Sequence, residues 1–423
     1  MTAAEQVFAK CAWRLLPLMM VLYFFNFLDR VNVGFAALTM NRDLGFTPVV
    51  FGFGGGVLNL GYSLFQVPAA LILNRFGARR TVFCILAAWG VISAANAFVQ
   101  SAAGFYAVRF LLGVAEAGFF PGMIFYLTLW FPQTYRARLI AGFYSAIPLS
   151  FIIGGPLSSV VLELDGVGGL HGWQWLFLLE GLPVLLLGFV VLRLLPDGPA
   201  SAPWLTRDEK DTISARLASE ETARQPSLSS ALLDPRVLAL GLAYFGWEFG
   251  FYGLLLWLPQ IVRAMGFANF TTGFVVALPF AASVLAMLFW ARLSDRRGER
   301  IRHVALASFA AALGFAVASL GAADLVVLFA LSLAAIGMVS FMPPFYSLPS
   351  TFLSGTAAAG GIALISAIGR IGAFLGPVLI GALKERSGDY SSGMAVLACG
   401  QLIAALVVLA LGRTLARRAT RTS

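Results

Sequence analysis

Seven ionisable side chains stand inside long apolar blocks of this 423-residue sequence: Asp29, Arg30, Arg109, Glu116, Glu180, Glu248 and Arg370. A charge in hydrocarbon costs roughly 2.5–3.5 kcal/mol on insertion scales, so such residues mark a site. The four acids and three arginines nearly balance, which predicts mutual pairing around a water-filled cavity. Arginine stays protonated and grips a carboxylate through two parallel N–H donors, making Arg30 and Arg109 permanent anion sites. Asp29 and Glu116 can gain or lose a proton as burial and neighbouring charges change. Arg109 and Glu116 are seven residues apart and share a helix face, with Gly113 and Ala117 beside them to admit a close neighbour. Asn26, one turn before Arg30, joins the binding set. In the empty site, Asp29 and Glu116 are expected to be held by Arg30 and Arg109; the same four residues would also serve as a fixed ion-pair lock. Glu248 is a further proton-coupling candidate, and Arg370 a further cation for substrate. Tyr252 and Tyr346, with Phe119, Phe120, Tyr144, Trp247 and Phe345, are candidates to wall a site for a flat organic molecule.

Other chemistries lack residues. His171 and His303 read as loop residues, so no imidazole relay is expected, and neither a phosphate-cradling GxxxxGK[ST] loop nor an HExxH metal pair occurs. No metal or cofactor is therefore expected. Cys11, Cys84 and Cys399 are too scattered for a disulfide framework and read as small apolar residues. The net charge of +9 sits in short loops without a basic face, which argues against nucleic acid.

The elements that must hold these residues follow from composition. At 59% apolar and 12% charged, the chain has about half the charge of a soluble domain, and a water-soluble enzyme is excluded. Apolar blocks long enough to cross a bilayer occupy 15–40, 51–73, 81–99, 105–131, 139–162 and 173–195, then 237–262, 272–293, 304–320, 325–346, 357–383 and 393–411. The first lacks the layout of a cleaved signal and is expected to remain as a helix. The fold expected is an all-α membrane protein of twelve transmembrane helices in two six-helix bundles. Residues 1–195 form one bundle and 236–423 the other, joined by a charged, solvated connector at 196–235 that holds a surface helix at 207–223. Most of the 29 lysines and arginines fall in alternate loops, the connector and the two ends; only Arg42, Arg263, Lys384 and Arg386 occupy the opposite loops. By the positive-inside rule, both termini and the connector face the cytoplasm. A repeat supports the two bundles: Asn74, Arg75, Gly77 and Arg79 after the second block match Asp295, Arg296 and Gly298 six blocks later, an acid or amide, then Arg, then a turn glycine.

These residues resemble the major facilitator superfamily, and within it the anion:cation symporters. The likeness is carried by Leu28-Asp29-Arg30-Val31-Asn32-Val33-Gly34, by Arg109 through Gly122, by Trp130-Phe131-Pro132, Gly154-Gly155-Pro156, Gly172 through Phe177, and Trp257-Leu258-Pro259-Gln260. It spans nearly the whole chain and looks nearest to bacterial tartrate, phthalate and 4-hydroxyphenylacetate permeases. The resemblance implies proton-coupled uptake of organic anions by alternating access in a bacterial inner membrane, with lipid as surroundings and a monomer sufficient. It assigns Asp29 and Glu116 to proton coupling and Arg30 and Arg109 to substrate carboxylates. Three departures stand out. Asn74 replaces the usual acid of the first loop motif, whereas Asp295 keeps the second. Ile147-Pro148 stands near where sugar-acid members carry an amide. Arg370 occupies a position where relatives often have Asn, and could serve a second carboxylate or pair with Glu248. Aromatic carboxylate and small dicarboxylate both fit. An anion exchanger or passive facilitator would use the same arginines, and a membrane sensor would need a further soluble domain.

Overall fold

Hydrocarbon offers the backbone no hydrogen-bond partners, so a spanning segment must bond its own N–H and C=O groups. The chain does this with helices. The structure, a computed structural model, describes residues 2–218, 233–321, 323–349, 352–353 and 355–422. Among them run α1 (Ala3–Asp43), α2 (Pro48–Phe76), α3 (Ala78–Ala95), α4 (Ala102–Glu116), α5 (Phe119–Trp130), α6 (Gln133–Tyr144), α7 (Ala146–Leu162) and α8 (Gly172–Leu194). A short connector helix, α9 (Arg207–Ala218), precedes α10 (Pro235–Ala264), α11 (Asn269–Arg297), α12 (Arg300–Ala318), α13 (Asp324–Tyr346), α14 (Gly355–Ser387) and α15 (Ser391–Thr422). Twelve stretches among the described residues are long and apolar enough to cross a membrane, as expected; α4 with α5, and α6 with α7, each make one span.

Contacts divide the chain into two units, Met1–Asn32 with Gly61–Gly154 and Val161–Ala223, and Val33–Leu60 with Gly155–Val160 and Arg224–Ser423. This division cuts across chain order, because the second unit takes in 33–60 and 155–160 beside the later helices, whereas the bundles at 1–195 and 236–423 are a division by sequence.

In the first unit, small residues set the helix spacing. A Cβ on Gly90 of α3 would lie 2.7 Å from the Leu185 nitrogen of α8, and one on Gly181 would lie 2.6 Å from the Ala94 nitrogen. Backbones that close exclude larger side chains and turn the far face of α3 toward other helices. Gly61 of α2 does the same for α4, since a Cβ there would run into the Phe110 carbonyl. In the second unit, Gly372 and Gly376 of α14 meet the backbone of α10 at Phe245 and Phe249, and Gly314 and Gly337 bring α12 against α13.

Two expectations need correction. The early part of the connector is docked rather than solvated. Ala202 and Ile213 are fully buried, the Trp204 ring stacks on Trp130 at 5.5 Å, the Arg14 guanidinium lies 5.1 Å over Trp204, and Tyr126 Oη donates to the Pro196 carbonyl. Apolar residues at 202, 204, 205 and 213 give this polar stretch one sticky face. Its helix is described over Arg207–Ala218, and 219–223 lie outside the described residues. His303 is no loop residue: α12 begins at Arg300, so the imidazole sits in its first turn, buried, with Nδ1 2.6 Å from the Glu299 carbonyl. His171 does lie outside the helices, immediately before α8.

Candidate functional site

The fourth span is broken where it carries its acid. Helix α4 ends at Glu116 and α5 starts at Phe119. Pro121 has no N–H and would clash with the carbonyl four residues back, at Ala117, while Gly118 tolerates the resulting turn. On α4 the buried residues Phe105, Arg109, Leu112, Gly113 and Glu116 form one stripe at helical spacing, so Arg109 and Glu116 share a face as expected.

Around Glu116 the predicted pairing is present. Arg30 Nη2 of α1 donates to Glu116 Oε2 at 2.7 Å, and Asn26 Nδ2 donates to the same oxygen at 3.0 Å. Glu116 is 0% exposed, and its other oxygen, Oε1, has no hydrogen-bond partner. The Arg30 guanidinium also lies 5.6 Å from the centre of the Phe27 ring and 5.3 Å from that of Tyr62. Arg109 is 2% exposed, and its Nε and Nη1 are without partners. The charges within electrostatic reach of it are Asp29, Glu116 and Arg30.

Asp29 departs from the expectation. Its hydrogen bonds come from neutral donors rather than from an arginine: Ser93 Oγ and Asn32 Nδ2 donate to Oδ1, and Trp89 Nε1 donates to Oδ2 at 3.2 Å. Sequence reasoning missed Trp89 and Ser93, which look like ordinary members of an apolar span. Their one signal is the four-residue spacing that puts both on one face of α3. Glu180 of α8 is buried as well.

The second unit holds the other charged cluster. Arg370 Nη1 of α14 donates to Tyr252 Oη at 2.9 Å and to Glu248 Oε2 at 3.3 Å, both on α10, and reaches Asn59 Oδ1 of α2 at 3.5 Å. Glu248 is buried, so the pairing of Arg370 with Glu248 is the one realised. Tyr346 Oη lies 2.9 Å from Tyr244 Oη. Several proposed wall residues are packing instead. Trp247 stacks on Tyr244 and Phe251 and donates to the Met338 carbonyl, Phe345 stacks on Tyr244, and Phe119 is buried against Trp89. Phe120 and Tyr144 are half-buried, 5.6 Å apart and edge to face.

The repeated loop motif keeps its turn geometry. Gly77 and Gly298 have φ of +83° and +64°, in the region only glycine enters freely. Asp295 is exposed and 3.9 Å from Arg300, and Arg296 lies in the last turn of α11. The side chains of Asn74 and Arg75 lie outside the described residues. The Arg79 nitrogen at the start of α3 donates to Asp197 Oδ1 at 2.9 Å, so an acid from beyond the end of α8 caps this helix beside the position where Asn74 stands in for an acid.

The sequence profile of the Major Facilitator Superfamily matches residues 19–377. A putative tartrate transporter of Agrobacterium vitis is 47% identical over 412 residues, covering 97% of this chain and 95% of that protein. A quinolone resistance transporter of Acinetobacter baumannii is 37% identical over 426 residues, 99% of this chain and 98% of its own. Among solved structures, a bacterial homologue of the human lysosomal transporter Spinster, inward-facing and occupied, superposes with a TM-score of 0.79 at 15% identity, covering 94% of this chain and 96% of that one.

Proposed function

The chain belongs to the Major Facilitator Superfamily and is a membrane transporter rather than an enzyme; on that premise we propose that it takes up an organic carboxylate together with a proton, by alternating access. The observation that carries this reading is the buried set on α1 and α4: an arginine with unpartnered nitrogens, Arg109, next to the Arg30–Glu116 pair. An entering carboxylate meets Arg109 and competes with Glu116 for Arg30. A carboxylate that loses its guanidinium takes up a proton more readily. Substrate and proton therefore favour each other's binding by about 1–3 kcal/mol, and the coupling is reciprocal. In the second unit, Arg370, Tyr252 and Tyr346 are the further substrate-binding candidates, with Glu248 as the acid that Arg370 holds. The similarity to a putative tartrate transporter supports a small hydroxy-dicarboxylate, and the half-buried Phe120 and Tyr144 support an aromatic acid. In the cell, the reading places the protein in a bacterial inner membrane with both ends cytoplasmic, working as a monomer.

The test uses purified protein in proteoliposomes and whichever of tartrate, phthalate or 4-hydroxyphenylacetate stabilises it most against heat, since a ligand of the folded state raises stability by mass action. Glu116→Gln is expected to abolish accumulation driven by a pH gradient while leaving exchange of labelled for unlabelled acid. Full uphill accumulation by this variant would overturn the reading.

A further inference from the structure

Helix α2 is divided between the two units: from Gly61 onward it belongs to the first, whereas 48–60 pack in the second, along α14. Backbones meet along this seam. A Cβ on Gly52 would lie 2.6 Å from the Pro377 carbonyl oxygen, and one on Gly56 would lie 2.7 Å from that of Phe374. At the same level α14 lacks a donor. Pro377 has no N–H, so the Ala373 carbonyl misses the partner that an α-helix supplies four residues on. Asn59 Nδ2 of α2 donates to that carbonyl at 3.3 Å, and Asn59 Oδ1 accepts from Arg370 Nη1 at 3.5 Å. Asn59 and Ala373 are both buried. An acceptor on one side and a donor on the other fix which end of the amide faces which partner. The far end of the seam is fastened in the reverse sense. The Val49 nitrogen, in the first turn of α2 and without a helix acceptor, donates to Glu385 Oε2 of α14 at 3.0 Å. Each helix supplies the group that the other is missing.

We propose that Asn59 is a positioning residue of the transport cycle, the pin that holds this seam shut over Arg370. The proposal rests on the alternating-access reading above, in which the site is uncovered on each side in turn. Parting 48–60 from α14 lifts Asn59 away from Arg370 and leaves the Ala373 carbonyl and the Val49 N–H to water. While the seam is dry the pin is needed, because a buried acceptor without a donor is costly. Once water enters, a water molecule takes the place of the amide, so the bond favours the closed seam without making it permanent. The Pro377 carbonyl is held differently: Trp257 Nε1 of α10 donates to it at 3.1 Å, so it stays bonded when α2 leaves, whereas the Ala373 carbonyl looks to α2. The orientation proposed above puts the Val49 end of the seam outside the cell, and the closed seam is then the state shut toward the outside.

Hydrogen–deuterium exchange of the purified full-length protein, read by mass spectrometry on peptides from 48–60 and 370–385, tests the proposal without substrate, since amides exchange when the seam opens. Asn59→Leu keeps the side chain's volume and removes both bonds. It is expected to speed exchange in both peptides by about tenfold and to leave peptides from α12 unchanged. Asn59→Ala serves the same purpose should the leucine variant fail to fold. The decisive arm is Pro377→Ala, or Pro377→Ser should that fail to fold, which restores an N–H four residues after Ala373. In that background Asn59→Leu is expected to speed exchange by no more than about twofold, because the carbonyl now has its own donor. A side chain that only fills space would show the same effect in both backgrounds. No change in Asn59→Leu, a rise in one peptide alone, or an equal rise with and without Pro377 would overturn the proposal. The expected exchange pattern in a protein that shows no pH-driven accumulation of tartrate, phthalate or 4-hydroxyphenylacetate would instead overturn the symport reading and leave the pin standing.

Discussion

A guanidinium has five N–H donors to place, and Arg109 leaves Nε and Nη1 without partners while almost wholly buried. An unsatisfied buried donor costs about 1–3 kcal/mol, which a bound carboxylate recovers. Arg30 already shares a protein acid, so on the proposed reading the entering anion meets Arg109 first. Lysine at this position keeps the charge but loses the planar fork. Arg109→Lys is therefore expected to weaken binding of the transported acid by about 10- to 100-fold, the loss of one charge-assisted hydrogen bond. Thermal-shift titration of the purified variant measures it, and unchanged affinity would remove Arg109 from the site.

At the scale of elements, α3, which carries the Trp89 and Ser93 donors to Asp29, packs closely against α8. A side chain larger than hydrogen at residue 90 meets the Leu185 nitrogen at 2.7 Å, where backbone cannot give way. Gly90→Val is expected to destabilise the protein by about 1–3 kcal/mol through overpacking, read as a lowered melting temperature in detergent. The docked connector makes a second prediction. Lys10 Nζ donates to both oxygens of Glu209 at 2.8 Å, and this bond, with one from the Thr206 nitrogen, holds the Glu209 carboxyl below its ordinary range. A carboxyl depressed in the folded state stabilises docking above its unfolded value and loses that contribution as pH falls through the folded one. The pair is near the surface and contributes at most about 1 kcal/mol. Proteolysis of 196–218 is expected to quicken on acidification below about pH 4, less so in Glu209→Gln, and to be fast at every pH in Trp204→Ala, which loses the stack on Trp130 and the Arg14 contact. Which elements were readable in advance follows from how each is made. Twelve spans were plain because hydrocarbon demands long apolar runs, and Arg30, Arg109 and Glu116 were plain because a charge in such a run is conspicuous. Trp89, Ser93 and Asp197 were not, since a donor or a cap is an ordinary residue until another helix is brought against it. The break after Glu116 did carry a signal, Gly118 with Pro121, and the docked connector hid its sparse apolar face behind its charges.

For the molecule as a whole, the question is how much charge crosses the membrane in a cycle. On the proposed symport reading, the buried acids and arginines return to the same charge at the end of each turn. With one proton coupled at Glu116, as proposed, what moves is the substrate's charge plus that proton. A monocarboxylate crosses as a neutral sum, whereas a dianion such as tartrate carries one negative charge across. Moving one charge through 100 mV costs about 2.3 kcal/mol, a factor of about 50 in accumulation. In proteoliposomes clamped with potassium and valinomycin at a constant pH gradient, tartrate accumulation is therefore expected to fall steeply as the interior is made negative. Accumulation of 4-hydroxyphenylacetate should not respond. Were tartrate accumulation indifferent to the potential, a second proton would have to travel with it. The proton count would then extend beyond Glu116, with Glu248 the next acid to substitute.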